Sequence, residues 1–411
     1  MDKTEKTPVD GINTEKAWIV GINFQSSKNT KEIKGIRQQS CGVDPLFPHS
    51  HGHDTSPSGP ASARLSLHSE INNHLDELSS LLKTLGVETA GRSIASVKKP
   101  LPAFLIGTGK ADEIISNASE SDSSIIVFDD DLSPAQQKNW EKLSKKRVID
   151  RREVIINIFA ERAKTKEASL QVELAHCQYT LPRLTRAWTH LSRQRGGSYG
   201  TKGTGETQLE TDRRALQKKI AALKKELKTI EKQRQTRRKL RENREIFSCS
   251  IAGYTNAGKS TLLNRLTGAS VSTNNRLFDT LDPVTRKLFL SNEQEVVITD
   301  TVGFIRKLPH QLIEAFKSTL EETVFADLVI LLLDASSSEV KSHYQTSMEV
   351  LKEIGVEKEK VMPVFNKADI ASDTSLFEEE YSNSLFISAL DGENIDKFVE
   401  EIKRRLQVNQ H

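Results

Sequence analysis

Gly253-Tyr254-Thr255-Asn256-Ala257-Gly258-Lys259-Ser260 reads G-x-x-x-x-G-K-S. An apolar run, Ile246 to Ala252, stands before it, and a helical pattern from Thr261 to Leu266 follows. Strand, glycine-rich loop and helix in that order make a phosphate cradle. The glycines let successive backbone N–H groups curl around phosphate oxygens, and the helix N-terminus adds a partial positive charge. In such a cradle Lys259 reaches β- and γ-phosphates, and the Ser260 hydroxyl ligates Mg²⁺. The competing reading is an ordinary glycine-rich turn, and the flanking strand and helix argue against it.

Three further tetrads follow, each after a strand. Asp300-Thr301-Val302-Gly303 closes the run Glu295–Thr299. An Asp there holds Mg²⁺ through water, and the Gly303 N–H meets the γ-phosphate. Asn366-Lys367-Ala368-Asp369 closes Val361–Phe365. The Asp369 carboxylate can accept two N–H donors from a guanine edge, which adenine does not offer, so it argues for GTP over ATP. Ser388-Ala389-Leu390 closes Ser384–Ile387 and offers backbone to the guanine carbonyl. Each motif alone is weak; four in this order are strong.

Between the loop and Asp300, residues Arg276–Arg286 are expected to be a mobile switch whose order depends on the γ-phosphate. It contains Phe278-Asp279-Thr280-Leu281-Asp282, read as nucleotide-binding, with Thr280 as the second Mg²⁺ ligand and Thr285 as its rival. Lys259, Thr280 and Gly303 are assigned to catalysis. Phe304 stands where many GTPases carry a water-orienting Gln, and a phenyl ring cannot orient water. Slow intrinsic hydrolysis, raised by an activating partner, is therefore expected. Asn256 either makes a local loop hydrogen bond or helps hold K⁺ beside the phosphates.

The rest of the chain bounds the class. It has 411 residues, enough for two or three cored domains, with 28% charged residues and a net charge of +3. No apolar run reaches the ~18 residues of a membrane span, and Met1–Asp10 lacks a signal core. The three cysteines, Cys41, Cys177 and Cys249, fit a reducing compartment and give no metal framework. The expectation is a monomeric cytoplasmic protein.

Residues 1–13 read as a flexible start, 14–245 as an α/β plus helical-hairpin domain, and 246–411 as a nucleotide domain. In the first part, Ala17–Ile22, Val87–Ala90, Ala103–Ile106, Ile125–Phe128 and Arg147–Asp150 read as strands alternating with helices, a small parallel sheet. Residues 25–63, rich in Ser, Gly, Pro and His, read as a loop insert, with order resuming at Leu65; His49, His51 and His53 lack the partners of a metal site. Ser133-Pro134-Ala135-Gln136 has the pattern of a capped helix start. Gly107-Thr108-Gly109-Lys110 reads as a tight strand-to-helix turn rather than an ATP phosphate site, and Asp129–Asp131 as a solvated turn.

Two long apolar stripes then suggest an antiparallel helical pair: Leu170, Leu174, Cys177, Leu181 and Leu184, then Leu209, Leu216, Ile220, Leu223, Leu227 and Ile230. Pro182 is expected to kink or end the first helix. The loop between them, residues 192–207, carries five glycines with Arg193, Arg195, Tyr199 and Lys202. Such a loop suits shape-adapting contact with RNA. The second helix begins with Arg213 and Arg214, and from Asp212 to Glu245 it has 14 Lys or Arg against 5 Asp or Glu. That charge attracts polyanions. A disordered connection and a solvated helix face are the plainer readings.

The tetrads are similar to those of translation-factor-class GTPases. Phe278-Asp279-Thr280-Leu281-Asp282-Pro283, Gly303-Phe304-Ile305-Arg306, Leu308-Pro309-His310, Ala315-Phe316-Lys317 and Gly205-Glu206-Thr207-Gln208-Leu209-Glu210-Thr211-Asp212-Arg213-Arg214 together resemble the HflX family of ribosome-associated GTPases. The resemblance runs from about Ala17 to the end, outside residues 25–63. It implies an N-terminal α/β domain with a long helical hairpin, then a Ras-like P-loop G domain. It also implies binding to the large (50S) ribosomal subunit, the glycine-rich loop reaching toward the peptidyl-transferase region, and splitting of stalled ribosomes. Gly203-Thr204-Gly205 departs from the family's Gly-Pro-Gly, and the chain stops soon after a helix read over Ile395–Leu406, without the extra C-terminal domain of some members. A GTP-dependent docking switch, with hydrolysis only resetting it, is the alternative.

Overall fold

The computed structural model describes residues 15–24, 60–187, 204–242, 246–268, 277–278, 283–290, 295–307, 317–371 and 384–408. The chain divides into two compact units, Met1–Ile158 with Pro182–Thr201, and Phe159–Leu181 with Lys202–His411. Residues 159–181 and 202–245 thus fall in the same unit as the chain from 246 onward.

The first unit is built on four strands in the order β2-β1-β3-β4, all parallel: β1 (Lys16–Phe24), β2 (Glu88–Val97), β3 (Ile125–Phe128) and β4 (Arg147–Asp150). Helices α1 (Pro60–Thr84), α2 (Thr108–Glu120), α3 (Pro134–Ser144) and the start of α4 (Arg151–Arg162) connect and cover them. Val20, Ile126, Phe128 and Val148 pack with Ile114 and Trp140 on one face. On the other face α1 lies so close to β1 that a Cβ at Gly21 would stand 3.0 Å from Ile71 Cγ2. The cap read before α3 is present: Ser133 Oγ accepts from Gln136 N, and Gln136 Oε1 accepts from Ser133 N.

Three readings of this part need correction. Helix α1 starts at Pro60, five residues before the expected Leu65. Ala103–Ile106 is not a strand; Leu101 and Leu105 close a tight reversal with Leu105 at φ 69°, so the apolar residues there fill a turn over Trp140. Asp129 is not solvated. It is buried against the Arg151 guanidinium at 2.7 Å, which also meets Glu77 at 2.5 Å. Gly107–Lys110 starts helix α2, with Lys110 paired to Glu113 at 2.6 Å.

In the second unit, α5 (Lys166–Ala187, to Leu181) lies beside α6 (Thr204–Glu242). Leu170, Leu174, Cys177 and Leu223 are buried together, with Leu216, Ile220, Leu227 and Ile230 against them. Glu167 pairs with Arg234 at 2.8 Å and Glu173 with Lys219 at 2.6 Å, so the register runs antiparallel. Pro182 does not end α5, which continues to Ala187. Residues 204–207 belong to α6 rather than to the loop.

The nucleotide-type sheet has the order β10-β9-β8-β5-β7-β6: β5 (Phe247–Gly253), β6 (Val284–Phe289), β7 (Glu295–Asp300), β8 (Leu328–Asp334), β9 (Val361–Asn366) and β10 (Leu385–Phe386). All pairs are parallel except β6 with β7. Helices α7 (Lys259–Thr267), α8 (Lys317–Val324), α9 (Val340–Glu353) and α10 (Ile395–Val408) flank it. A continuous apolar run suits a strand covered on both faces, and β8 is buried along Leu328–Leu333. Residues 284–286, expected in the mobile switch, are instead strand, with Thr285 paired to Thr299 across β6 and β7.

Candidate functional site

Four neighbouring parallel strands end in residues that carry polar chemistry: Gly253 on β5, Asp300 on β7, Asp334 on β8 and Asn366 on β9. The carboxyl ends of parallel strands are where open α/β sheets bind ligands. The sheet order therefore assembles what the sequence spreads over more than a hundred residues.

The loop after β5 is shaped by its glycines. Gly253 has φ 145°, and a Cβ there would stand 2.2 Å from the Leu332 carbonyl oxygen. Gly258 has φ 94°, and its Cβ would stand 2.3 Å from Asn366 Nδ2. Only glycine tolerates both the conformation and the approach. Lys259 is buried, and its Nζ donates to the carbonyls of Gly253 at 3.2 Å and Tyr254 at 2.9 Å. Burial lowers its pKa to about 8, against the opposing pull of the Asp300 carboxylate. Thr255 and Ala257 are buried, and Asn256 is exposed at φ 63°. Thr261 continues α7.

Ser260 Oγ donates to Asp300 Oδ2 at 2.6 Å, and Asp300 is fully buried. A hydroxyl and a carboxylate side by side are the hard oxygen donors that suit Mg²⁺. Thr301 Oγ1 donates to Ile251 O at 2.8 Å and fixes the end of β7. Val302 is buried, and Gly303 lies against the loop: a Cβ on it would meet Thr255 Cγ2 at 2.8 Å and Lys259 Nζ at 3.0 Å. Phe304 buries its ring at 1% exposure, so that side chain does not face the loop's open side.

Asn366 joins the two ends of the site. Its Nδ2 donates to Ala257 O at 2.8 Å, and its Oδ1 accepts from Ala389 N at 2.9 Å. Lys367, at φ 64°, sends Nζ to Asp334 Oδ2 at 2.6 Å. Ala368 N donates to Ile387 O at 3.1 Å, which sets the Asn366–Asp369 turn against the Ser388-Ala389-Leu390 turn. Asp369 is exposed, Ser388 and Ala389 are buried, and Leu390 is 69% exposed.

Of the switch segment, Phe278 is described and is buried, its ring edge-on to Phe159 at 4.6 Å between centroids. Asp279, Thr280, Leu281 and Asp282 lie outside the described residues, as do Arg193, Arg195, Tyr199 and Lys202. Arg213 and Arg214 are exposed on α6, Arg214 meeting Glu210 at 2.6 Å. Sequence reading missed Arg265, which donates to the carbonyls of Ala389 (3.1 Å) and Leu390, and missed Asp334, Glu339 and His343. None lies in a tetrad, and only the fold brings them to the site.

Family models match along the chain: the GTP-binding GTPase N-terminal region at residues 72–160, the GTP-binding GTPase middle region at 162–241, and the 50S ribosome-binding GTPase at 248–367. GTPase HflX of Akkermansia muciniphila is 49% identical over 303 residues, covering 72% of this chain and 69% of that protein. GTPase HflX of Escherichia coli is 43% identical over 343 residues, covering 82% and 80%.

The chain belongs to the HflX family of GTPases.

A GTP-binding protein from the archaeon Sulfolobus solfataricus, solved in complex with GDP, is 28% identical, with 81% of this chain and 96% of that one covered and a TM-score of 0.41. The present chain, as a member of the HflX family, carries the P-loop GTPase fold with an N-terminal parallel-sheet unit, as its motifs and its alternating strands and helices led one to expect. Among the described residues no helix is long and apolar enough to cross a membrane.

Proposed function

We propose that the protein binds GTP with Mg²⁺, docks on the large (50S) ribosomal subunit and its rRNA, and hydrolyses GTP there in the rescue or splitting of stalled ribosomes. The observation that carries the nucleotide part is Asn366, which ties the phosphate loop to the Ser388–Leu390 turn through two hydrogen bonds. A ligand with a phosphate chain at one end and a guanine at the other fits that spacing of functions.

In this reading the loop amides and Lys259 hold the phosphates, and Asp369 accepts from the guanine edge. Ser260, and Asp300 through water, hold Mg²⁺, which offsets the negative charge of the phosphates. Thr280 is the second ligand, and the Gly303 N–H orients the terminal phosphate. Because the Phe304 ring is buried, no side chain at that position aligns water, and the ribosome supplies or positions the missing group. Activating partners of this kind contribute about 10³–10⁵ in rate. Asn256 is the candidate for a K⁺ contact; equal hydrolysis in KCl and NaCl would remove it.

The basic face of α6 and the loop before it supply the RNA contact, and the protein acts as a cytoplasmic monomer. The test is GTP turnover with and without purified 50S subunits, for the wild type and a deletion of residues 196–205. Strong stimulation that disappears with the loop supports the reading. Equal turnover with and without subunits removes the ribosome as activator.

A further inference from the structure

The backbone after Asp300 is fastened onto the phosphate loop. Phe304 N donates to Gly253 O at 2.9 Å, and Thr255 N donates to Phe304 O at 2.8 Å, a short parallel bridge. Two side chains hold Arg306. Tyr254 Oη accepts from Arg306 N at 2.9 Å, and the Arg306 guanidinium pairs at 2.6 Å with Glu339, the residue that caps the start of α9. The Tyr254 ring is itself stacked on His343 of α9 at 3.9 Å and 16°. Glu339 is 3.9 Å from His343 Nε2, so both contacts converge on one turn of one helix.

This arrangement closes the Gly303 backbone onto the loop on the side where a terminal phosphate would enter. The Thr255 N–H, a loop donor that would serve a phosphate oxygen, is given to Phe304 O. Gly303 itself is pressed onto the loop: a Cβ on it would stand 2.8 Å from Thr255 Cγ2 and 2.9 Å from Thr255 Cα. Room for a γ-phosphate beside the Gly303 N–H opens when the Gly303–Arg306 backbone lifts from Thr255. The β-phosphate of a diphosphate makes no such demand on Gly303.

We propose that Tyr254, Arg306 and Glu339 are positioning residues that latch residues 303–306 onto the phosphate loop and so set how strongly the protein prefers GTP to GDP. Each contact in the latch stabilises the arrangement that excludes the γ-phosphate. A ligand shifts such a balance only by its differential affinity for the two arrangements. This inference rests on phosphate binding at residues 253–260.

Two variants test it in the full chain. Tyr254→Phe keeps the ring on His343 and removes the hydroxyl. Glu339→Gln keeps the size and removes the charge that holds Arg306. Dissociation constants of GDP and a non-hydrolysable GTP analogue are measured for both variants and the wild type. The expected result is an affinity ratio of analogue to GDP raised by about threefold to tenfold in both variants, the size of one net hydrogen bond, with the GDP affinity of Glu339→Gln within about twofold of wild type. Analogue affinity that is unchanged or weaker, or that shifts in parallel with GDP as a general loss of structure would make it, overturns the latch. Wild-type protein that binds neither nucleotide overturns the phosphate site itself, and the latch with it.

Discussion

The side-chain amide of Asn366 lies 2.8 Å from the carbonyl oxygen of Ala257, and Gly258 packs so close to that amide that a Cβ there would stand 2.3 Å away. One buried side chain thus sets the distance between the phosphate loop and the two turns at the other end of the site. Asn366→Ala removes both of its hydrogen bonds and leaves the buried Ala257 carbonyl and Ala389 N–H unsatisfied. Each such orphan costs about 1–3 kcal/mol. GDP and GTP affinities are expected to fall together by about thirtyfold or more, read by fluorescence titration alongside circular dichroism. Unchanged affinity would show that the bridge does not shape the site.

Asp369 offers a specificity test. In the proposed reading its carboxylate accepts two N–H groups of guanine; an amide in its place would present one donor and one acceptor, which matches the 2-oxo edge of xanthine. Asp369→Asn is expected to weaken GTP by about a hundredfold, as loss of charge-assisted hydrogen bonds implies, and to favour XTP. Competition of the two nucleotides for a fluorescent analogue reads it. Retained GTP preference would dismiss Asp369 from base recognition.

Lys259 gives a pH prediction. Burial holds its pKa near 8 in place of 10.5. Between those values the unfolded chain binds the extra proton, so stability of the free protein is expected to rise with pH across that window. Phosphates favour the ammonium, so nucleotide binding at about pH 9 is expected to take up a proton, and the Lys259 contribution vanishes below about pH 7. Calorimetry in buffers of different ionisation enthalpy measures this. Lys259→Arg, charged at all these pH values, removes the uptake; uptake that persists in it belongs to another group.

Phe304 predicts a negative result. Its ring is buried at 1% exposure. Phe304→Gln is expected to leave basal hydrolysis no faster than wild type and to lower the melting temperature, because the amide enters an apolar site. A basal rate that rose tenfold would mean the side chain at 304 reaches the phosphates.

Phe159 and Phe278 meet edge to face at 86°. Such pairs add about 0.5–1.5 kcal/mol beyond their burial, so a double-mutant cycle with Leu at each position should return a coupling of that size in denaturant unfolding. A coupling of zero would show that Phe278 is held by general burial and not by Phe159.

The sequence by itself determined the strands that end in motifs, the helical pair, the capped start of α3 and the family. Those features rest on local chemistry: glycines where φ is positive, a Ser-Pro-x-Gln cap, apolar residues at fixed spacing. Its errors were local too. Ala103–Ile106 is apolar yet turns at Leu105, and Asp129 looked solvated until Arg151 and Glu77 closed on it. Only the tertiary structure decided that Asn366 bridges Ala257 and Ala389, that Phe304 faces inward, and that Tyr254, Arg306, Glu339 and His343 converge. Those partners are far apart in the chain, and no local pattern encodes which strands lie side by side. The order β9-β8-β5-β7 does, by setting the strand ends in one row.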